Sequence, residues 1–434
     1  MAQGPQTPMK KAWDSQHTAI TEEFIRRIPK TDLHLHLDGS LRIGTILELA
    51  QKDGIELPGT TVEELKEKVF KEKYDSLVEY LEGFKWTCAV MQKPENVERI
   101  SYELAVDNFK EGVRYFETRF APQLHANDGF KTIDVVRAVN RGLERAKAEF
   151  NALPEVVDGS APSYEYGMIL IAMRAFDENT SQYYAKLMEV HSHLHSKKLY
   201  ELASSSLARV AVACRDEGLP VVGFDIAGPE HGFPAETHRE AYEYVHKHFL
   251  KKTVHAGEAY GPDSIYQALT DLHADRIGHG CLLFRSDLVT GHKNPEKFVA
   301  HMVERISASR IPMECCLSSN TQTTPELSDL TIHPMKEMLK HKMSICICTD
   351  NRLVSDTTVT RELELAVKAF QLTPKQLKDI TLAGFKGAFF PQPYVQKRAY
   401  VRSVIDYYER LEVELLGPSS ASTAGVLNFD KIHV

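Results

Sequence analysis

The sequence predicts an α/β protein: a (β/α)8 TIM barrel with extra helices inserted after the first strand and at the C-terminus. Eight short apolar runs recur along the chain, mostly separated by stretches of helical spacing. Most of the runs are continuously apolar, as parallel strands covered on both faces are. Polar residues gather where the runs end: His34 and His36, Gly228, His255 and Glu258, His279, and Asp350. A barrel of this kind carries its site at the C-terminal ends of its strands. An open doubly wound sheet would need a Gly-rich phosphate loop after its first strand, and the sequence has none there.

The organising stretch is Thr31–Ser40, Thr-Asp-Leu-His-Leu-His-Leu-Asp-Gly-Ser. Leu33, Leu35 and Leu37 alternate with His34, His36 and Asp38, the period of a strand. Both imidazoles therefore point the same way, close enough to hold one metal ion. A lone His-x-His pair is more often a half-buried strand meeting solvent. Here the polar strand ends downstream complete a metal set.

Residues 1–24 read as a loose polar arm, 25–416 as a single domain, and 417–434 as a flexible Ser/Gly/Ala-rich tail. After the first strand, 40–53 has helical spacing and stops at Gly54, and 61–70 opens with a capping-box pattern. The stretch 74–90 is mostly apolar, with Leu77, Tyr80, Leu81, Phe84 and Trp86. It is core packing or a hydrophobic lid over a pocket. A long amphipathic helix over 94–111 ends at Gly112.

Strands and helices then alternate. Strands are expected at 113–120, 166–174, 219–228, 252–256, 275–279, 312–317 and 343–349. Helices are expected at 133–150, within 179–217, at 234–249, up to 272, and at 295–308, 333–341 and 358–413. Residues 151–163 form a loop. His191, His193 and His195 sit at the wrong spacing to share a helix face and read as surface.

The net charge of -8 and the lack of basic runs interleaved with aromatics argue against nucleic-acid binding. No apolar run is long enough to cross a bilayer, and the first 21 residues lack the apolar core of a signal peptide. Seven cysteines, several in apolar strands, suggest reduced core thiols in a cytoplasmic protein.

Three neutral imidazoles and a carboxylate (His34, His36, His255, Asp350) suit one Zn2+ ion with a position left for water. Zinc lowers the pKa of its water toward neutrality and so supplies a nucleophile. His279, flanked by glycines, can act as base. Glu258 can protonate the group attacked, provided burial raises its pKa. The strand 221–228 contains no lysine to bridge a second metal. Motifs of the cytidine-type deaminases and of His-Glu-x-x-His peptidases are absent from the sequence.

The sequence resembles the adenosine deaminase family of the amidohydrolase superfamily. The motifs are 33–40, Glu-Thr-Arg-Phe-Ala-Pro (117–122), Met-Arg (173–174), Asp-Ile-Ala-Gly-Pro-Glu (225–230), His-Ala-Gly-Glu (255–258), Ile-Gly-His-Gly (277–280), Ser-Ser-Asn (318–320) and Thr-Asp-Asn (349–351). They stand in family order and span about residues 29–392. The resemblance implies hydrolytic deamination at C6 of adenosine or 2′-deoxyadenosine, giving inosine or 2′-deoxyinosine and ammonia. It implies zinc on His34, His36, His255 and Asp350, with Glu258 protonating purine N1 and His279 and Asp350 orienting the hydroxide. The Gly228 N–H would meet N3 and Asp38 a ribose hydroxyl, with His36, Met173 and the segment from Leu77 to Phe84 beside the substrate.

One position departs. The family's second Asp of Thr-Asp-Asp faces purine N7; here it is Asn351, whose amide donates at any pH. The expectation is retained activity with altered purine selectivity. Asp38 near the sugar's 5′ end would repel a 5′-phosphate, which favours a nucleoside. The alternatives are another 6-aminopurine (adenine, adenosine monophosphate or a modified adenine nucleoside) and a non-catalytic purine-binding homologue.

Overall fold

The computed structural model describes residues 20–74 and 77–417. Its eight strands are β1 (Lys30–His36), β2 (Val113–Phe120), β3 (Glu165–Met173), β4 (Val221–Ala227), β5 (Lys251–Ala256), β6 (Arg276–His279), β7 (Met313–Cys315) and β8 (Ile345–Ile347). Each pairs in parallel with the next. The first and last strands meet just beyond β8, where Leu35 bridges Asp350. The Asp350 N–H donates to the His34 carbonyl and the His36 N–H to the Asp350 carbonyl, both at 2.8 Å. The seam that closes the barrel is thus made by the residues expected to hold the ion.

Helices between the strands start where local chemistry permits. Proline occupies the first turn of Pro94–Lys110, Pro262–Thr270, Pro295–Ser309 and Pro374–Gly387, where its missing N–H has no intrahelical partner to lose. Gly54 ends Ile43–Asp53 in the left-handed region (φ 69°). Thr61 caps Val62–Lys68 by accepting from the Glu64 N–H, while the Glu64 carboxylate accepts from the Thr60 N–H at 2.6 Å. The box expected there therefore closes one residue upstream of its cap. The helices inserted after β1 and at the C-terminus stand where expected, at Ile43–Asp53, Val62–Lys68, Leu77–Ala89 and Pro94–Lys110, and at Val359–Phe370, Pro374–Gly387 and Tyr394–Leu416. A Cβ on Gly384 would fall 2.0 Å from Thr31 Oγ1, so only glycine lets that helix lie against β1.

The outer faces of the strands (Phe116, Met168, Leu170, Phe224, Ile226) are fully buried under the helices. Inside the barrel lie charges: Glu117, Arg119, Arg276 and Glu314 have no exposed surface at all.

Several local expectations change. The helix Glu22–Arg27 buries Phe24 and Ile25, so packed structure begins before residue 25; residues 1–19 of the expected arm and 418–434 of the expected tail lie outside the described residues. The loop 151–163 contains a short helix, Pro154–Val157. The seventh strand stops at Cys315, and Leu317–Thr323 is a helix. That turn starts because the buried Glu362 carboxylate accepts from the Ser318 N–H at 3.1 Å, a cap supplied from far along the chain. His191, His193 and His195 occupy the connection between Gln182–Val190 and Ser196–Asp216 rather than a helix, at the surface. No helix among the described residues is long and apolar enough to cross a membrane. All seven cysteines are free; six are buried, and Cys88 is half-buried.

Candidate active site

The C-terminal ends of the strands bring five polar residues together. His34 and His36 come from β1, His255 from β5, His279 from the end of β6 and Asp350 from just past β8. One ligand atom each from His34, His255, His279 and Asp350 lie within 4.8 Å of one another. His36 belongs to the same cluster: its Nε2 is 3.1 Å from His255 Nε2 and 3.3 Å from Asp350 Oδ1. His34 Nε2 is 3.4 Å from the same oxygen.

These spacings fit a metal ion. Ligands about 2.0–2.1 Å from a tetrahedral zinc stand roughly 3.3–3.4 Å apart. His34 Nε2 is buried with no hydrogen-bond partner, a lone pair waiting for a cation. Burial pushes His36 well below its ordinary pKa, and so keeps it the neutral base that a metal needs. Burial alone would raise the Asp350 carboxyl, but the surrounding imidazoles hold it well below its usual range.

A layer of partners fixes the ligands. His34 Nδ1 lies 2.8 Å from Glu314 Oε2. His255 Nδ1 lies 3.0 Å from Asp225 Oδ2. Arg119 ties these carboxylates together, donating to Asp225 at 2.7 Å and to Glu314 at 2.9 Å, and Arg276 donates to Glu314 at 2.6 Å. Ser319 donates to Asp350 Oδ2 at 2.6 Å. Such partners set tautomer and ring orientation.

His279 and Asp350 both take left-handed backbone (φ 63° and 60°), which non-glycine residues adopt at a cost. The surrounding network holds them there. His279 has a defined proton as well. The Met335 N–H donates to His333 Nδ1 (3.1 Å), so neutral His333 carries its proton on Nε2, 3.2 Å from Asn320 Oδ1. Asn320 then presents its Nδ2 to His279 Nδ1 at 3.0 Å. His279, held neutral by burial at about 4, therefore keeps its proton on Nε2, the nitrogen facing the cluster.

Glu258 follows β5 in a loop whose backbone is gripped from below. The Glu230 carboxylate accepts N–H bonds from Gly257, Glu258, Ala259 and Tyr260 at 2.6–3.1 Å. Burial, and next the charge of Asp350, push the Glu258 carboxyl up to about 7. Its Oε2 stands 3.7 Å from His279 Nε2.

A cavity of about 520 Å³ opens over the cluster. Its walls include Asp38, Phe84, Met173, Gly228, Glu258 and Asn351, with more apolar than polar surface. The helix Leu77–Ala89 forms one wall through Tyr80, Leu81, Phe84 and Lys85; the Leu77 side chain lies outside the described residues. Asn351 donates through Nδ2 to the Tyr80 hydroxyl (2.9 Å), and its buried Oδ1 has no partner. A Cβ on Gly39 would sit 1.9 Å from that oxygen, so glycine is what admits the amide.

The adenosine deaminase family model matches residues 29–407. The chain belongs to the adenosine deaminase family. An adenosine deaminase of Mycobacterium avium (strain 104) is 36% identical over 391 residues, 88% of this chain and 96% of that one. Among solved structures, the Arabidopsis N6-mAMP deaminase superposes with a TM-score of 0.66 at 26% identity, over 88% of this chain and 99% of its own. A zinc-bound amidohydrolase of Burkholderia ambifaria superposes at 0.70 and 21% identity, over 92% and 96%, and shares the fold.

Of the site residues expected from sequence, His36, Asp38, Phe84, Met173, Gly228, His255, Glu258, His279, Asp350 and Asn351 line this cavity, and His34 stands in the cluster but not on the cavity wall. What sequence reasoning missed is the supporting layer: Glu314, Asp225, Arg119, Arg276, Glu230, Asn320 and His333 were given no role. Charged residues inside strand runs (Arg119, Asp225, Arg276, Glu314) were the available signal, since an interior charge needs a buried partner. Nothing local marks His333.

Proposed function

We propose that this member of the family is a zinc-dependent hydrolase that converts adenosine and 2′-deoxyadenosine to inosine and 2′-deoxyinosine, consuming water and releasing ammonia. The observation that carries the reading is Glu258: a carboxyl held at about 7 by burial, beside a cluster of imidazoles and a carboxylate, on the wall of a largely apolar cavity.

His34, His36, His255 and Asp350 would hold the ion. His279 stands apart from that set, because its cluster-facing nitrogen carries a proton and offers no lone pair. When bound, zinc acidifies a water molecule and so supplies the nucleophile. The chain's own residues do the rest. Protonated Glu258 donates to purine N1 as C6 is attacked, which makes the ring electrophilic there. The His279 Nε2–H orients the attacking oxygen, a role the tautomer favours over that of general base. The Gly228 N–H meets N3; Gly228 has φ 105°, which suits glycine. Asp38 meets a sugar hydroxyl, and Phe84 and Leu81 cover the sugar side. Burial pushes the Asp38 carboxyl up to about 7; its anionic form, which prevails above that pH, disfavours a 5′-phosphate and separates this reading from a nucleotide deaminase.

The test is ultraviolet absorbance of zinc-loaded protein with adenosine, run beside Glu258→Gln. Conversion to inosine that disappears in the variant supports both the reaction and the acid. No conversion of any 6-aminopurine nucleoside, with zinc bound, overturns the reading.

A further inference from the structure

Beside the cavity, two of them on its wall, three side chains from three separate segments converge. Asp38 follows β1, Cys88 sits on the helix Leu77–Ala89, and His125 ends the short helix Pro122–His125 after β2. One ligand atom of each lies within 4.8 Å of the others, with His125 Nε2 3.9 Å from Asp38 Oδ2. His125 is wholly buried, and neither of its ring nitrogens has a hydrogen-bond partner. Asp38 Oδ1 is also buried and unpartnered. An unserved imidazole nitrogen and an unserved carboxylate oxygen on neighbouring buried side chains point to a shared partner. A direct His125–Asp38 hydrogen bond does not supply it, because 3.9 Å is too long.

We propose that Asp38, Cys88 and His125 form a second site, for a thiophilic divalent cation such as Zn2+ or Cd2+. Imidazole nitrogen, thiolate sulfur and carboxylate oxygen are the donors such ions take, and a water or a substrate hydroxyl completes the shell. Asp38 and Cys88 both line the cavity, so the ion enters through the substrate's own mouth. Coordination displaces the Cys88 thiol proton to solvent and changes no oxidation state. Because Asp38 is shared, an ion here competes with the sugar. That consequence rests on the deaminase reading; the binding itself does not.

The experiment titrates protein already holding one equivalent of zinc with Cd2+, by equilibrium dialysis and by thiolate-to-cadmium absorption in the ultraviolet. The expected result is one Cd2+ per chain beyond the retained zinc, with a thiolate band that Cys88→Ser removes. His125→Gln weakens that second affinity about tenfold or more, the scale on which loss of a metal-site contact is felt. In the unmodified chain, Cd2+ slows alkylation of Cys88, a readout that needs no variant to fold. Excess Zn2+ raises the apparent KM for adenosine at constant kcat, and His125→Gln loses that effect relative to its own rate without excess zinc. A stoichiometry of one, or a second ion bound without a thiolate band (surface imidazoles such as His191 and His193), overturns the proposal. Failure of the deaminase reading shows separately, as absent turnover while dialysis still reports the second ion.

Discussion

His34 Nδ1 and Glu314 Oε2 stand 2.8 Å apart, both wholly buried, and this contact couples the metal cluster to the charges inside the barrel. Burial favours a protonated Glu314, but Arg119 and Arg276 outweigh it and hold the carboxyl well below its usual range. An ionised Glu314 fixes the proton of His34 on Nδ1 and leaves Nε2 for the ion. Glu314→Gln keeps the shape and loses the charge, so metal affinity should fall about 10–100-fold, measured by competition with a chelator. Glu314→Ala leaves two buried guanidinium groups short of a partner and should cost about 3–5 kcal/mol in denaturant unfolding.

The pH dependence of kcat/KM should report Glu258. Its protonated form is the proposed donor, and burial pushes its carboxyl up to about 7. Activity therefore falls as pH rises through about 7. The stability sign agrees: a folded value raised above the unfolded one contributes stability that is fully present below about 4.5 and is lost as pH rises through about 7. In the metal-free protein Glu258→Gln should make that slope shallower without abolishing it, because burial also pushes Asp32 and Asp38 up to about 7. An alkaline limb that survives in a partly active Glu258→Gln would assign it to another group.

Asn351 tests purine selectivity. Its Nδ2 is bound to the Tyr80 hydroxyl, which itself pairs with Ser355 Oγ at 2.8 Å. Asn351→Asp exchanges that donor for an oxygen and reverses the demand on Tyr80. The relative kcat/KM values for adenosine and other 6-aminopurine nucleosides should shift by about tenfold, the worth of one hydrogen bond of about 1.4 kcal/mol. Unchanged ratios across the panel would remove Asn351 from substrate choice.

Asp38 tests the choice between nucleoside and nucleotide. If Asp38 meets the sugar as proposed, Asp38→Asn removes its charge above about pH 7, where the buried carboxyl ionises, while keeping a hydrogen-bonding side chain. The preference for adenosine over adenosine monophosphate should shrink about tenfold or more, since two like charges at close range in a buried site repel by more than 1 kcal/mol. An unchanged ratio places the 5′ group elsewhere.

The side chains that meet in this cluster were legible where they repeat a local pattern. His34 and His36 declare themselves by alternation along β1, and His255, His279 and Asp350 by standing at strand ends. The barrel followed from the same runs. Features that depend on distant partners were not legible. The helix Leu317–Thr323 needs Glu362 to cap it, and nothing near Ser318 signals that. The helix Glu22–Arg27 is polar outside and buries only Phe24 and Ile25, too short a pattern to separate from a polar arm. The tautomer of His279 depends on an N–H at Met335, a contact no spacing encodes.

That tautomer gives the sharpest test of role. The relay runs from the Met335 N–H through His333 and Asn320 to His279, and each member has a fixed direction of donation. Asn320→Asp replaces the donating amide with an acceptor. His279 would then move its proton to Nδ1 to satisfy the carboxylate, and turn a bare lone pair toward the cluster. If His279 works by donating from Nε2, kcat should fall about 10²-fold or more with KM little changed, the scale on which a single positioned proton acts. If it worked as a base, the same change would free its lone pair and leave kcat intact or raised. Thermal unfolding of the variant, together with its zinc content, separates either outcome from simple loss of structure. A second substitution, His333→Gln, keeps a donor toward Asn320 Oδ1 and should recover most of the activity that His333→Phe loses.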